Sequence, residues 1–223
     1  MRRPVTVLLG GCVLAAVVVL VLALTTRERE AFTLGVPLSG PAVGLAPGVE
    51  TCQAPIRLPD AESDFDRVAF VLSGKEGTKG PPLAVTLETE DGKSVGRGRL
   101  ENYTLNPKLP AVVDVGHVTT REPMTVCLRN AGRTEVALYG SGDLASRTST
   151  ATLNGTPLGV DVALSFEHAE PRSALSLLPT VFDRMALWRT GWAGGWLYWV
   201  LGALLALAVP ALLVYALREV TTD

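Results

Sequence analysis

The chain has 223 residues and a formal net charge of −2 at pH 7, and 48% of its residues are hydrophobic. A chain so close to neutral lacks the basic surface on which nucleic-acid binding depends, so we expect no nucleic-acid partner. Two uncharged apolar runs, Val5–Leu24 and Leu197–Leu217, lie near the two ends. A polar region with strand-like patterns separates them.

The first apolar run follows two basic residues, Arg2 and Arg3. A helix needs roughly 20 apolar residues to cross the hydrocarbon core of a bilayer. We therefore predict a membrane-spanning signal anchor over residues 5–24, with residues 1–4 as a cytoplasmic tail. The alternatives are a cleaved signal peptide and a lipoprotein signal that ends at Cys12. The run is longer than the roughly 7–15 apolar residues of a cleaved signal, which favours the anchor.

A Gly- and Pro-rich segment over residues 25–49 is typical of a linker, and we predict one domain over residues 50–170. Its hydrophobic residues alternate with polar ones, as in strands buried on one face, and Asp91-Gly92 is a hairpin turn signal. Nine strands are predicted: Glu50–Leu58, Asp66–Ser73, Leu83–Glu90, Lys93–Leu100, Ala111–Val118, Met124–Asn130, Thr134–Tyr139, Thr148–Leu153 and Leu158–His168. No helical period interrupts them, so we expect a mainly β fold, a single jelly-roll-like or immunoglobulin-like sandwich bracketed by the two transmembrane helices.

Cysteine usage points to an oxidising compartment. Cys52 and Cys127 are the two cysteines of the central domain, and an isolated pair of this kind predicts a disulfide. Two separately buried thiols are the alternative, since cysteine also packs as a small hydrophobe. Together with the two apolar runs, the disulfide predicts a two-pass protein of the cell membrane. Its central domain would be extracytoplasmic and both of its termini cytoplasmic.

Aromatic residues crowd the entry to the second apolar run. Amphipathic rings favour the headgroup layer of a bilayer. We predict an interfacial amphipathic helix and connector over residues 171–195, a second membrane-spanning helix over 196–217 and a cytoplasmic tail over 218–223. A helix that caps the β domain is the alternative for the connector. The predicted membrane-interface residues are Trp188, Trp192, Trp196, Tyr198 and Trp199.

Few residues suggest chemistry. The two histidines, His117 and His168, lack the spacing of a zinc site, and the segment 140–142 lacks the pattern of a nucleophile elbow. We therefore predict no catalytic residues, no metal site and no cofactor. One acidic cluster offers oxygen ligands of the kind that calcium takes, although a solvated loop is the favoured interpretation. That cluster consists of Asp60, Glu62, Asp64 and Asp66.

Several segments together resemble uncharacterised two-span membrane proteins of actinobacteria, which are often associated with genes for surface-glycan synthesis. The segments are Asp64–Val68, Pro81–Thr86, Val126–Asn130, Val136–Gly140, Leu178-Pro179, Phe182–Arg184 and the Trp-rich second apolar run. The resemblance covers most of the chain, and its motifs are structural rather than catalytic. It implies a role in the assembly of envelope polysaccharide or glycoconjugate, and it supplies no active-site residues.

These observations favour a non-catalytic, membrane-anchored extracytoplasmic protein that binds a glycan or an integral membrane partner in cell-envelope glycan assembly. A carbohydrate-active enzyme with a carboxylate pair on the sandwich is the first alternative. A structural subunit of an integral membrane complex is the second. Aromatic platforms for a sugar are scarce, because all four tryptophans lie near the second apolar run, and Tyr103 and Tyr139 are the main loop candidates.

Overall fold

A computed structural model describes residues 2–58, 64–120, 122–142, 150–186 and 194–220. Within them are three helices, α1 (Arg2–Thr25), α2 (Ala174–Ala186) and α3 (Trp196–Val220). The fourteen strands are β1 (Arg27–Thr33), β2 (Gly40–Leu45), β3 (Glu50–Ile56), β4 (Phe65–Phe70), β5 (Leu72–Ser73), β6 (Leu83–Thr89), β7 (Ser94–Leu100), β8 (Ala111–Val118), β9 (Met124–Asn130), β10 (Val136–Ser141), β11 (Thr150–Leu153), β12 (Thr156–Pro157), β13 (Asp161–Val162) and β14 (Leu164–Ser173). The chain forms two compact units. One comprises Met1–Glu28 with Pro171–Asp223, and the other, called the β domain below, is Arg29–Glu170.

The strands form several sheets with antiparallel pairing, which confirms the prediction of a mainly β fold. One sheet has the order β1-β14-β4-β8, and a six-stranded sheet has the order β12-β11-β3-β9-β6-β7. The third has the order β13-β10-β2, and β5 also pairs with β10. The predicted linker over residues 25–49 differs from the structure, because it contains β1 and β2. Its glycines and prolines conceal the alternation that buries Val43 and Leu45.

Alternation of side chains builds the core. In β6, Leu83, Val85 and Leu87 are fully buried, whereas the residues between them lie on the opposite face. Strands of all three sheets contribute to one hydrophobic cluster, in which the rings of Phe32 and Phe166 stack with their centroids 4.3 Å apart. Burial of each such side chain contributes about 1.5–3 kcal/mol, so this shared core is the main source of stability in the β domain.

The predicted disulfide is present. Cys52 on β3 and Cys127 on β9 are directly opposite each other in the strand register and are bonded. Their neighbours Gln53 and Val126 are buried in the core, so the disulfide lies on the outer face of the six-stranded sheet. A disulfide of this kind persists in an oxidising compartment. Cys12 is a free cysteine.

The two apolar runs fold as helices, but the predicted membrane topology is wrong. In the described part of the chain, no helix is both long and apolar enough to cross a membrane. The prediction of transmembrane helices at 5–24 and 196–217 is therefore wrong. The prediction of a two-pass localisation, with an extracytoplasmic domain between cytoplasmic termini, is wrong for the same reason.

The connector contains a helix, α2, which begins at Ala174 and has Pro179 in its interior. Tyr198 of α3 stacks on Phe182 of α2, and its hydroxyl donates a hydrogen bond to the Met185 carbonyl at 3.1 Å. Trp188 and Trp192 lie outside the described residues. The membrane-interface role of Trp196, Tyr198 and Trp199 stays a prediction.

Candidate functional site

A polar groove of about 320 Å³ lies beside the β6–β7 hairpin and the C-terminal end of β8. Hydroxyl and charged side chains dominate its lining. We call it the His117 groove. Its lining residues are Thr89, Lys93, Ser94, Val95, His117, Val118, Thr119, Thr120 and Glu122.

Three adjacent strands of one sheet fix the position of His117. Its Nδ1 lies 2.9 Å from Oδ1 of Asp66, which is on the neighbouring strand β4. The other carboxylate oxygen of Asp66 accepts a hydrogen bond of 2.8 Å from the backbone N–H of Ala169 on β14. Asp66 is therefore held from one side while it orients the imidazole on the other. The His117 side chain itself is 58% exposed and open to a ligand.

A β-bulge aims His117 at Asp66. In the β4–β8 pairing, Phe65 is opposite Val118 and Arg67 is opposite Asp114, so β8 has extra residues between these two pairs. Gly116 lies among them with φ at +81°, a conformation that side chains rarely adopt. Asp114 Oδ1 accepts a hydrogen bond from the Gly116 N–H at 3.1 Å, which stabilises the bulge. Bulges redirect a side chain in this way next to functional sites.

The electrostatics of Asp66 determine which nitrogen of His117 carries a proton. Burial raises the pKa of Asp66, but the hydrogen bonds from Ala169 and His117 and the nearby charge of both histidines lower it. The net pKa lies below the ordinary 3.8. Asp66 is therefore ionised at neutral pH and can only accept hydrogen bonds, so Nδ1 of His117 is the donor. Nε2 is left for a ligand and for Asp64, whose Oδ2 is 3.9 Å away.

Two members of the acidic cluster thus contact His117. Asp64 and Asp66 are on either side of its ring, whereas Asp60 and Glu62 lie outside the described residues. Among the residues that the structure does describe, one set of potential metal ligands is close together: Glu50, Cys52 and Cys127. Its two cysteines are joined in the disulfide, so this set is no metal centre. The interpretation of the acidic cluster as a solvated loop stays a prediction.

The other candidate residues have structural roles. Ser141 of the segment 140–142 is buried at the end of β10, opposite Asp161 in the register. Tyr103 lies in the predicted loop, but its hydroxyl donates a hydrogen bond to the Pro81 carbonyl at 2.8 Å. Burial raises the pKa of Tyr103 to about 12. Tyr139 is in β10 rather than in a loop. Neither tyrosine lines the His117 groove.

Sequence reasoning missed the groove. It placed His117 in an apolar strand and Asp66 in an acidic loop, and nothing linked residues 51 positions apart. The one local signal was glycine directly before histidine in a strand, which is typical of a bulge.

The chain matches no model of a known protein family, and no curated protein is significantly similar to it.

Proposed function

We propose that the β domain is a non-catalytic binding module for a hydroxyl-rich ligand, a glycan of the cell envelope, and that the ligand binds in the His117 groove. The observation that carries this proposal is an exposed imidazole, oriented by Asp66, inside a groove lined by threonine, serine, lysine and glutamate. Sugar hydroxyls both donate and accept hydrogen bonds. Each of these side chains offers one or both complementary groups.

The groove suits an uncharged polyol better than an apolar ligand. Lys93 supplies donors, Glu122 supplies acceptors, and the threonine hydroxyls supply both. Thr89 is already engaged, because its hydroxyl contacts Asp91 and the Lys93 carbonyl within the hairpin. That engagement fixes the hairpin beside the groove. A groove held in shape before binding loses less conformational entropy when the ligand arrives.

The carboxylates favour binding over glycoside hydrolysis. Glycosidases commonly place two carboxyl groups on opposite sides of the scissile bond. Here Asp64 and Asp66 both contact the same imidazole, and Asp66 is also bonded to the Ala169 N–H. With its lowered pKa, Asp66 has no proton to deliver at neutral pH. Its role is therefore to position His117.

One observation favours a second candidate, a carbohydrate-active enzyme in which His117 is a general base. An imidazole whose Nδ1–H is bonded to an ionised carboxylate has the orientation that such bases use. The two candidates differ in turnover. An enzyme would convert its glycan and lose that activity when His117 is replaced, whereas a binding module returns the glycan unchanged.

The setting in cell-envelope glycan assembly rests on the resemblance described above. The disulfide supports it, because the bond requires an oxidising compartment. An accessory role beside a glycan-synthesising protein is compatible with a small binding module. We propose that role for the full chain.

The test is calorimetric titration of the purified full chain with defined envelope glycan fragments. We expect His117→Ala and Lys93→Ala each to weaken binding by about tenfold, the effect of losing one hydrogen bond to the ligand. Lys75→Ala is the matched control, because Lys75 is exposed in a loop and does not line the groove. Equal affinity in all variants would contradict the proposal. Conversion of a fragment by the wild type but not by His117→Ala would select the enzyme.

A further inference from the structure

Three arginines share the outer face of the six-stranded sheet. Arg97 and Arg99 alternate with glycines on β7, and Arg129 is on β9. Ala84 on the strand between is paired with Arg99 on one side and with Arg129 on the other. The backbones of these two arginines are therefore about 10 Å apart, twice the spacing of neighbouring strands. Two long cationic side chains thus flank a methyl group.

A pocket of about 460 Å³ lies between Arg99 and Arg129. We call it the arginine pocket. Small residues and backbone form most of its wall, which leaves the two guanidinium groups as its charged components. Its lining residues are Gly48, Ala84, Arg99, Arg129, Asn130, Ala131 and Gly132.

A buried amide gives the pocket a fixed wall. Asn130 is fully buried, and its Nδ2 donates hydrogen bonds of 2.8 Å to the carbonyls of Leu45 and Thr134. Its Oδ1 accepts a third bond, also of 2.8 Å, from the Gly132 N–H. Asn130 thereby links the end of β2 to the segment that follows β9. A side chain at Gly132 would come within 2.6 Å of Pro81, so this loop has no room to collapse.

The positive charge of the pocket is only partly neutralised. Arg99 pairs with Glu101 at 2.6 Å, with 60% of its own side chain exposed. Glu50 is opposite Arg129 in the strand register. Across the described residues, however, no carboxylate lies within 4.0 Å of Arg129 or Arg97. A local cluster of three cations is notable in a chain whose net charge is −2.

We propose that the arginine pocket binds an anionic group of a glycan, a carboxylate or a phosphate diester. Guanidinium groups bind both anions through two parallel hydrogen bonds, and they favour them over neutral ligands. Thr86 lies between Arg97 and Cys127 in the register and offers a hydroxyl beside the pocket for a neighbouring sugar. The pocket is separate from the His117 groove and shares no lining residue with it. The choice of a glycan as the carrier of the anion rests on the proposed function, whereas the recognition of the anion does not.

The test measures binding of the full chain to three defined polymers by equilibrium titration at low and high salt. Polygalacturonate carries carboxylates, poly(glycerol phosphate) carries phosphate diesters, and dextran is neutral. We expect at least one polyanion to bind, dextran not to bind at this pocket, and the affinity to fall with salt. Competition by inorganic phosphate would identify the phosphate group alone as the recognised feature.

Substitutions of the pocket arginines test whether the polyanion binds in the arginine pocket. Arg99→Gln with Arg129→Gln should reduce polyanion affinity by at least about tenfold, because two charged hydrogen-bond donors are lost. Arg99→Lys with Arg129→Lys should give a smaller reduction, since the charge remains but the paired donors do not. Arg29→Gln with Arg57→Gln is the matched control, with the same change of charge at two exposed arginines outside the pocket, and should change affinity less than about twofold.

Two results would overturn the proposal. One is that neither polyanion binds the wild-type chain. The other is that the control pair loses as much affinity as the pocket pair, which would indicate attraction by total charge alone. Thermal unfolding checks that each variant is folded. Because Arg99 and Arg129 are exposed, we expect their substitution to leave the fold intact.

Discussion

The His117 groove depends on an irregular strand pairing, whereas the arginine pocket depends on a regular one. At the groove, the bulge around Gly116 redirects His117 toward Asp66 on the next strand. At the pocket, unbroken register aligns Arg99 and Arg129 on either side of Ala84. Regular strands thus place charges in rows across a sheet. An irregularity is needed to bring one side chain against a chosen partner.

The largest expected effect is the loss of stability when the disulfide on the outer face of the six-stranded sheet is removed. Replacing Cys52 and Cys127 with serine removes a crosslink between residues 75 positions apart. In the chain-entropy model, that crosslink contributes about 4 kcal/mol to the free energy of unfolding. Chemical denaturation should show a loss near this size, whereas Cys12→Ser, at the free cysteine, should be nearly neutral. Equal stability of the double variant and the wild type would contradict the structural role of the disulfide.

A second prediction concerns the close approach of β7 and β8. Gly98 lies between Arg97 and Arg99 on β7, and a Cβ there would come within 2.1 Å of the Asp114 carbonyl oxygen on β8. Gly98→Ala should therefore separate β7 from β8 and cost about 1–3 kcal/mol of stability by overpacking.

Thermal unfolding measures this cost. Gly142→Ala is the control, because a Cβ at Gly142 meets nothing within 4 Å. If both variants unfold at the same temperature, the close approach of the two strands is wrong.

The bulge itself gives a third prediction. Gly116 has φ at +81°, so Gly116→Ala should cost about 1–2 kcal/mol of backbone strain and weaken the contact between His117 and Asp66. Denaturation gives the stability, and titration with the groove ligand gives the affinity. Gly40→Ala is the control at a strand glycine with open space and no positive φ. A stable Gly116→Ala variant with unchanged ligand affinity would contradict the role of the bulge.

The smallest expected effect is the pH dependence that Asp66 confers. Its pKa in the folded protein is below 3.8, so the folded state holds its proton less tightly than the unfolded chain does. Asp66 therefore stabilises the fold above the unfolded pKa, and this contribution is lost as pH falls through the folded value. Denaturation at several pH values should show a shallower acid decline for Asp66→Asn than for the wild type. Glu90→Gln, at an exposed position, should leave the decline unchanged.

The regular features could be predicted from the sequence, because they are encoded locally. Alternation identified β6 and β9, and an isolated cysteine pair identified the disulfide between β3 and β9. The alternation in β2 is hard to recognise in the sequence, because glycine and proline occupy half of its positions. The predicted membrane spans failed for a different reason. An apolar run indicates a helix, but it does not establish a crossing over the residues that the structure describes.

The sites could not be predicted, because each depends on pairing between distant segments. His117 meets Asp66 only once β4 lies beside β8. Arg129 reaches the same pocket as Arg99 only because β6 separates their two strands. A single sequence contains the residues but not the register. The glycine before His117 was the one local feature that pointed to a special position.

The central claim is that His117 contacts the ligand of the β domain. The chain has two histidines, which makes imidazole resonances in an NMR titration simple to assign. On addition of a glycan fragment that binds, we predict that the resonances of exposed His117 shift in a saturable way. Those of buried His168 should change less. Saturable binding that leaves the His117 resonances unmoved would contradict the account.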